Sequence, residues 1–429
     1  MQAILQPEKT LYNAVIITMN PELEVIRNGY VTISGNTITE IGEGIPKNGK
    51  NMVDIQGDII IPGFVNAHTH LPMTLYRGLA DDLPLKTWLE DHIWPAEATH
   101  THEKNVRKGA RLGLAEMIQT GTTTFCDMYF FADAVAEETA KSGMRAVMNE
   151  AILDFPTNSY PHVEVALAKA QQFIEKWKQH PLIYPGLVFH ATYSCSKETL
   201  LKVKHLSNQF GLRISTHISE TQDEVAQITE RYGLNPPHYL HELGMLTENT
   251  LGAHCIWLTE EDQALFKKSG AHVVHCPSSN LKLGSGIAPV ATYLQKGINV
   301  ALGTDGCASN NNLDMVEEMR LAALLQKGIN HNPELLPARE ALKMATINGA
   351  KALGLDHLIG SIEVGKRADL AIVSTKNTFM QPIYDYYSAL VYAMNSSCID
   401  TVMADGNVLM LNRELMTVKD IIITDGKFL

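Results

Sequence analysis

Ile59-Ile60-Ile61-Pro62-Gly63-Phe64-Val65-Asn66-Ala67-His68-Thr69-His70 is an apolar run that ends in two histidines one residue apart. The turn signal Gln56-Gly57-Asp58 bounds it upstream, so it reads as a buried strand over 59–66. Side chains two apart on a strand point to the same face. The imidazoles of His68 and His70 should therefore emerge side by side where the strand stops. Two neutral imidazoles on one face make half of a metal site. Taken alone, the pair could equally be two loop histidines satisfied by hydrogen bonds.

Working outward, strand-like runs recur at 122–127, 145–150, 184–190, 213–217, 250–255, 272–276 and 299–303. Between them lie segments with apolar residues three and four apart, at 103–119, 163–178, 197–209, 220–232 and 260–268. Strand and helix alternating in series predict an α/β fold of the (β/α)8 TIM-barrel type over 59–365. A doubly wound open sheet would want a Gly-rich phosphate turn after its first strand; this chain has His68-Thr69-His70 there. The flanks differ. Residues 10–58 and 366–429 read as short strands broken by turn signals such as Asn20-Pro21, Ser34-Gly35-Asn36, Asp405-Gly406 and Asp425-Gly426, with strands expected at 368–373, 401–404, 408–411 and 421–424. Both ends together, 1–58 with 366–429, are expected to build one small β-sandwich domain at one side of the barrel.

Composition narrows the function. The 429 residues are 45% hydrophobic and 19% charged, as in an ordinary globular protein, with a formal net charge of -12. An acidic surface repels polyphosphate, so no nucleic-acid partner is expected. No stretch of about 18 apolar residues occurs, so no membrane span is expected. The start of the chain lacks a basic region followed by an apolar core, and the six cysteines form no CxxC pair, which predicts a cytoplasmic protein. A homo-oligomer is compatible with this composition.

A βα barrel builds its active site where the strands end. Those ends carry His68 and His70, then His190, His217, His254 and, past the eighth strand, Asp305, with Glu220 three residues beyond His217. Three imidazoles and a carboxylate suit Zn2+ or Fe2+ with one coordination position left for water, whose pKa such an ion lowers from 15.7 to about 7. Asp305 could take a proton from the attacking water, and Glu220 could donate one to a ring nitrogen of the substrate. In isolation Asp305 would be a turn residue of Gly303-Thr304-Asp305-Gly306. His275 is expected to be structural or part of a pocket wall. Met73, Trp88 and Trp94 could roof an apolar pocket, with helix packing as the simpler expectation. The chain has no GxSxG, HExxH, Walker A or HxE…PCxxC pattern. No lysine ends the fourth strand, which favours a single metal.

These segments resemble the amidohydrolase superfamily, and specifically its 5-methylthioadenosine/S-adenosylhomocysteine deaminases. The likeness runs through Pro62-Gly63-Phe64-Val65-Asn66-Ala67-His68-Thr69-His70, Trp94-Pro95-Ala96-Glu97-Ala98, His190-Ala191-Thr192-Tyr193-Ser194-Cys195, Thr216-His217-Ile218-Ser219-Glu220, Gly252-Ala253-His254-Cys255, His275-Cys276-Pro277-Ser278-Ser279-Asn280, Gly303-Thr304-Asp305-Gly306 and Gly365-Lys366-Arg367-Ala368-Asp369-Leu370. The resemblance implies one divalent metal, Zn2+ before Fe2+, held by His68, His70, His217 and Asp305. It implies that Glu220 protonates N1 of an adenine while Asp305 and His254 shuttle protons, and that Glu97 and His190 grip ribose hydroxyls. A carboxylate suits that task, since it can accept both protons of a cis-diol. The substrate implied is a small nucleoside. Rivals on the same scaffold are a triazine hydrolase, a guanine or cytosine deaminase, or, more remotely, a non-catalytic barrel. One departure stands out: some relatives clamp the S-adenosylhomocysteine carboxylate with arginine after strand 3, yet residues 149–189 contain none, and Arg145 starts that strand. Methylthioadenosine is therefore expected to outrank S-adenosylhomocysteine.

Overall fold

The apolar run divides at Gly63. In the computed structural model, which describes residues 2–419, Ile59–Pro62 pairs with Glu8–Ile17 and Leu370–Val373, whereas Phe64–Thr69 pairs with Thr122–Tyr129. The strand expected over 59–66 is thus two strands in two different sheets. The crossing point is tight, because a Cβ on Gly63 would stand 2.2 Å from the Thr123 side chain. The Gly63 N–H donates to the Asp369 carbonyl and the Phe64 N–H to the Gly121 carbonyl, so the hydrogen bonding changes sheets at that peptide.

Eight parallel strands form the barrel: Phe64–Thr69, Thr122–Tyr129, Arg145–Ile152, Leu187–Ala191, Ile214–Ile218, Thr250–His254, His272–His275 and Val300–Leu302, numbered here as barrel strands 1 to 8. The ring closes through a parallel bridge between Thr69 and Asp305, with the Asp305 N–H donating to the His68 carbonyl at 3.0 Å. Strands 1, 2 and 3 are buried throughout, as strands covered on both faces must be. Strand 4, expected over 184–190, is in two pieces. Ile183–Pro185 lies against strand 3 and Leu187–Ala191 completes the ladder, parted at Gly186.

The helices follow the apolar spacing. Glu103–Gln119 buries Val106, Ala110, Leu114, Met117 and Ile118 on one stripe. After strands 4, 5 and 6, Ser196, Thr221 and Thr259 cap helix N-termini by accepting a backbone N–H three residues on, and Gly211, Gly233 and Gly270 end those helices with positive φ.

Strands from both ends build one nine-stranded sheet, ordered Glu414–Leu415, Asn407–Leu411, Ile399–Ala404, Leu370–Val373, Ile59–Pro62, Glu8–Ile17, Val25–Ser34, Thr37–Glu43, with Met52–Asp54 also beside Glu8–Ile17. The small domain expected as a sandwich takes this form, a continuous sheet sharing one core: Leu11, Val31 and Ile33 from the first half pack in a single cluster with Leu370 and Met403 from the second. The strand expected at 421–424 lies outside the described residues. Arg145, at the start of barrel strand 3 and fully buried, ties the barrel to this sheet through Asp369 and Asp405. The opposite, C-terminal end of the barrel is left to the loops.

Candidate active site

His68 is the penultimate residue of barrel strand 1, with His70 just beyond its end; His217 lies in strand 5 and Asp305 follows strand 8. Their ligand atoms all lie within 4.8 Å of one another. His68 Nε2 is 3.2 Å from His217 Nε2 and 3.4 Å from Asp305 Oδ1, and His70 Nε2 is 3.1 Å from the same oxygen. The tautomers favour a cation. His70 Nδ1 lies 2.5 Å from the Met128 carbonyl and His217 Nδ1 lies 2.7 Å from the His190 carbonyl. A carbonyl only accepts, so both Nδ1 atoms carry the proton and both Nε2 lone pairs point into the cluster. Converging lone pairs beside a carboxylate fit a divalent ion.

Charge within the cluster leads to the same conclusion. Burial works against a His70 cation, but Asp305, the Met128 carbonyl and Asp127 outweigh it and lift the imidazole to about 9. Burial lowers His68 to about 4. Burial also opposes the Asp305 anion, yet His68 and His70 hold its carboxyl well below the usual range.

Several partners orient these groups. Asp305 divides its oxygens: Oδ1 faces the imidazoles, while Oδ2 accepts the Ser279 and Ser309 hydroxyls at 2.6 and 2.7 Å. Asp127 accepts from the Thr69 hydroxyl and the Leu71 N–H, pinning the turn that carries His70. Four non-glycine residues at the strand ends have left-handed backbones: Ser219 (φ 50°), His254 (68°), Cys255 (48°) and Asp305 (60°). Strain of this kind persists where surrounding bonds over-determine it.

Next to the cluster, His254 Nδ1 donates to Asn280 Oδ1 at 2.7 Å, leaving Nε2 toward Glu220 Oε2, 3.9 Å away. Burial raises the Glu220 carboxyl, with His254 acting against it. The Ser285 hydroxyl reaches Glu220 Oε1 at 3.3 Å, and Glu224 accepts the backbone N–H groups of both Ser219 and Glu220. His190 is half-buried and bonded to Ser194; burial lowers it to about 3 and keeps it neutral.

Above these groups opens a cavity of about 420 Å³, where Glu97, His190, Glu220, His254 and Asp305 meet a wall that includes Met73, Trp88, Leu89, Trp94 and Phe155. Among the described residues no arginine or lysine lines it. The site residues expected from the sequence therefore converge. Met73, Trp88 and Trp94, for which packing was the simpler expectation, all line the wall, and Met73 and Trp88 also pack into the core. His275 is buried, stays out of the ligand cluster and lines no part of this cavity. Ser279, Ser309, Asn280, Glu224, Asp127 and Tyr129 escaped the sequence reading; Ser279 and Asn280 lie within the strand-7 motif, and Glu224 is one helical turn from Glu220.

A parallel barrel with three imidazoles and a carboxylate at its C-terminal mouth defines a class of metal-dependent hydrolases. The chain belongs to the amidohydrolase family, whose profile matches residues 59–409. More particularly, it is 45% identical to the 5-methylthioadenosine/S-adenosylhomocysteine deaminase of Thermodesulfovibrio yellowstonii over 92% of each chain. It is 43% identical to the 5'-deoxyadenosine deaminase of Methanosarcina acetivorans, over 95% of this chain and 94% of that one. Among solved structures, an adenosine deaminase from Xanthomonas campestris with bound zinc superposes with a TM-score of 0.92 at 37% identity, covering 95% of this chain and 94% of the other.

Proposed function

We propose that this chain is a metal-dependent hydrolytic deaminase of adenosine-type nucleosides that works best on 5'-methylthioadenosine, giving the inosine analogue and ammonia. The carrying observation is the junction of a cluster of three histidines and one aspartate with a largely apolar cavity into which Glu97, His190, Glu220 and His254 project. Relatives at 43–45% identity that are named nucleoside deaminases support the reading.

His68, His70, His217 and Asp305 would hold the ion, with zinc the natural choice for imidazole and carboxylate donors. When bound, the ion supplies Lewis-acid activation of water. The chain's own residues then handle position and protons. Glu220, whose seclusion favours the protonated carboxyl, donates to N1 of the adenine. His254 Nε2 and Asp305 take up the proton released by the attacking water and return it to the departing amine. Glu97 and His190 grip the ribose hydroxyls, and Trp88, Leu89, Trp94 and Phe155 cover the 5' group and exclude water. Six buried free cysteines suit a reducing cytoplasm. Among the described residues no helix is long and apolar enough to cross a membrane.

The 5' preference follows from the wall. A methylthio group fits apolar surface, whereas the zwitterionic tail of S-adenosylhomocysteine needs a cation for its carboxylate, and burying that carboxylate unpaired costs several kcal/mol. Assays at the adenine-to-hypoxanthine absorbance change should give a higher kcat/KM for methylthioadenosine than for adenosine or S-adenosylhomocysteine, and no turnover of guanine, cytosine or a chlorotriazine. A preference for S-adenosylhomocysteine would contradict the substrate assignment. Turnover of a free base or triazine in place of the nucleosides would contradict the reaction class.

A further inference from the structure

Four oxygen-bearing side chains run in single file from the core to the cavity, which Thr101, Tyr129 and Glu97 line, and none belongs to the metal cluster. Tyr76, fully buried, places its hydroxyl 2.5 Å from Thr101 Oγ1. Thr101 Oγ1 stands 3.4 Å from the Tyr129 hydroxyl, which donates to Glu97 Oε1 at 2.6 Å. Tyr129 and Thr101 are themselves buried. The last acceptor fixes the direction of the whole file. Tyr129 donates its one hydroxyl proton to Glu97 Oε1; its own oxygen is left to accept from Thr101, and Thr101 to accept from Tyr76.

The file ends on a carboxylate that has no other tether. Glu97 stands on the short helix Trp94–His100, and among the described residues Tyr129 is the one hydrogen-bond partner of its side chain. The backbone is secured separately: the Thr101 N–H donates to the Glu97 carbonyl, as does the Asn158 amide. Tyr129 is the last residue of barrel strand 2, and the carbonyl just before it, that of Met128, is the one that fixes His70. A single strand end therefore sets the distance between the imidazole cluster and the carboxylate.

We infer that Tyr129, fed by Thr101 and Tyr76, is a positioning residue for ribose discrimination: it fixes Glu97 so that Oε2 and the second lone pair of Oε1 are left for a cis-diol. This inference rests on the nucleoside reading above. Without the Tyr129 hydroxyl, the carboxylate would be free to swing and would have lost its one supporting donor. Seclusion in the cavity already pushes Glu97 up to about 7, with the Tyr129 bond and His70 working against it. An unsupported Glu97 would thus hold a proton more readily and lose an acceptor. A substrate lacking one of the two hydroxyls depends less on this geometry and should notice the change less.

The test compares kcat/KM for adenosine and 2'-deoxyadenosine in metal-loaded wild type, Tyr129→Phe and Thr101→Val, with metal content measured in each. Wild type should favour adenosine. In Tyr129→Phe that advantage should shrink about tenfold, the loss falling mainly on the KM of adenosine, while the value for 2'-deoxyadenosine moves less than about threefold. Thr101→Val should shift the ratio the same way by about threefold. A role in packing alone would depress both substrates equally, and that result, or an unchanged ratio, overturns the inference. Should Tyr129→Phe fail to fold, an unchanged ratio in Thr101→Val overturns it just as well. A wild type that deaminates both nucleosides without ribose preference removes this inference and leaves the functional reading standing; a wild type inert toward every nucleoside removes both.

Discussion

Glu220 carries the sharpest consequence at the scale of single residues. Its carboxyl is raised by burial, supported by Ser285 and by the backbone bonds of Glu224, and faces His254. A glutamine keeps the shape and most of the contacts but offers no carboxylic proton. In Glu220→Gln, kcat should fall about 10²–10⁴-fold with metal content unchanged, since general-acid assistance is of that size. A rate within a few-fold of wild type would make Glu220 a bystander. The groups proposed to hold metal or substrate were legible because strand ends concentrate them: five of the 17 histidines fall at the expected strand ends. Their supports were not. Ser279 and Ser309 are two hydroxyls among many, and only folding brings both within hydrogen-bond distance of Asp305 Oδ2. The left-handed backbones at His254 and Asp305 are equally silent in sequence, because neither residue is glycine.

Elements with a clean period were read to within a residue or two. Helices Glu103–Gln119 and Val163–Trp177 match their apolar stripes, and the caps at Ser196, Thr221 and Thr259 mark the starts of Lys197–Phe210, Gln222–Tyr232 and Glu260–Ser269. Failures came where the pattern carries no period. The run at 59–65 is apolar on both faces, so no change of period accompanies the change of sheet at Gly63, and Pro62-Gly63 is its one mark. Residues 71–100 break into Leu71–Tyr76, Leu85–Thr87, Trp88–Ile93 and Trp94–His100, pieces too short for periodicity to show which of their aromatics face a cavity. Between whole helices, Glu138 joins Ala132–Ser142 to Glu103–Gln119 through Arg107 and Arg111, with Lys141 beside it. Burial opposes its charge, but the three cations outweigh burial and hold its carboxyl near 2 against an ordinary 4.5. A depressed carboxylate stabilises the fold above its unfolded pKa and loses that contribution as pH falls through its folded one. Because Arg111 and Lys141 are partly exposed, screening reduces the effect to about 1–2 kcal/mol. Glu138→Gln should therefore lower the denaturant midpoint near neutral pH, and the difference from wild type should close between pH 4.5 and about 2. A difference that stays constant across that range would show that the charge is immaterial.

The whole molecule separates support from chemistry. The nine-stranded sheet built from both ends of the chain is bound to the barrel through the buried Arg145, Asp369 and Asp405. Every group assigned to metal or substrate lies at the opposite mouth, on the strand ends and the segments that follow them. Alternation of strand and helix made the barrel legible, and turn signals at both ends marked the second sheet. The way that sheet shares one core across residues far apart in sequence is a product of packing alone. The proposed function requires one ion, held by His68, His70, His217 and Asp305, to make this barrel a nucleoside deaminase. Titrating zinc into chelator-stripped protein while following methylthioadenosine deamination tests it most directly. The rate should start at background, rise linearly and level off at one equivalent per chain, the stoichiometry set by a single four-ligand cluster. Full activity in the stripped protein, or a plateau reached only at two equivalents, would contradict it.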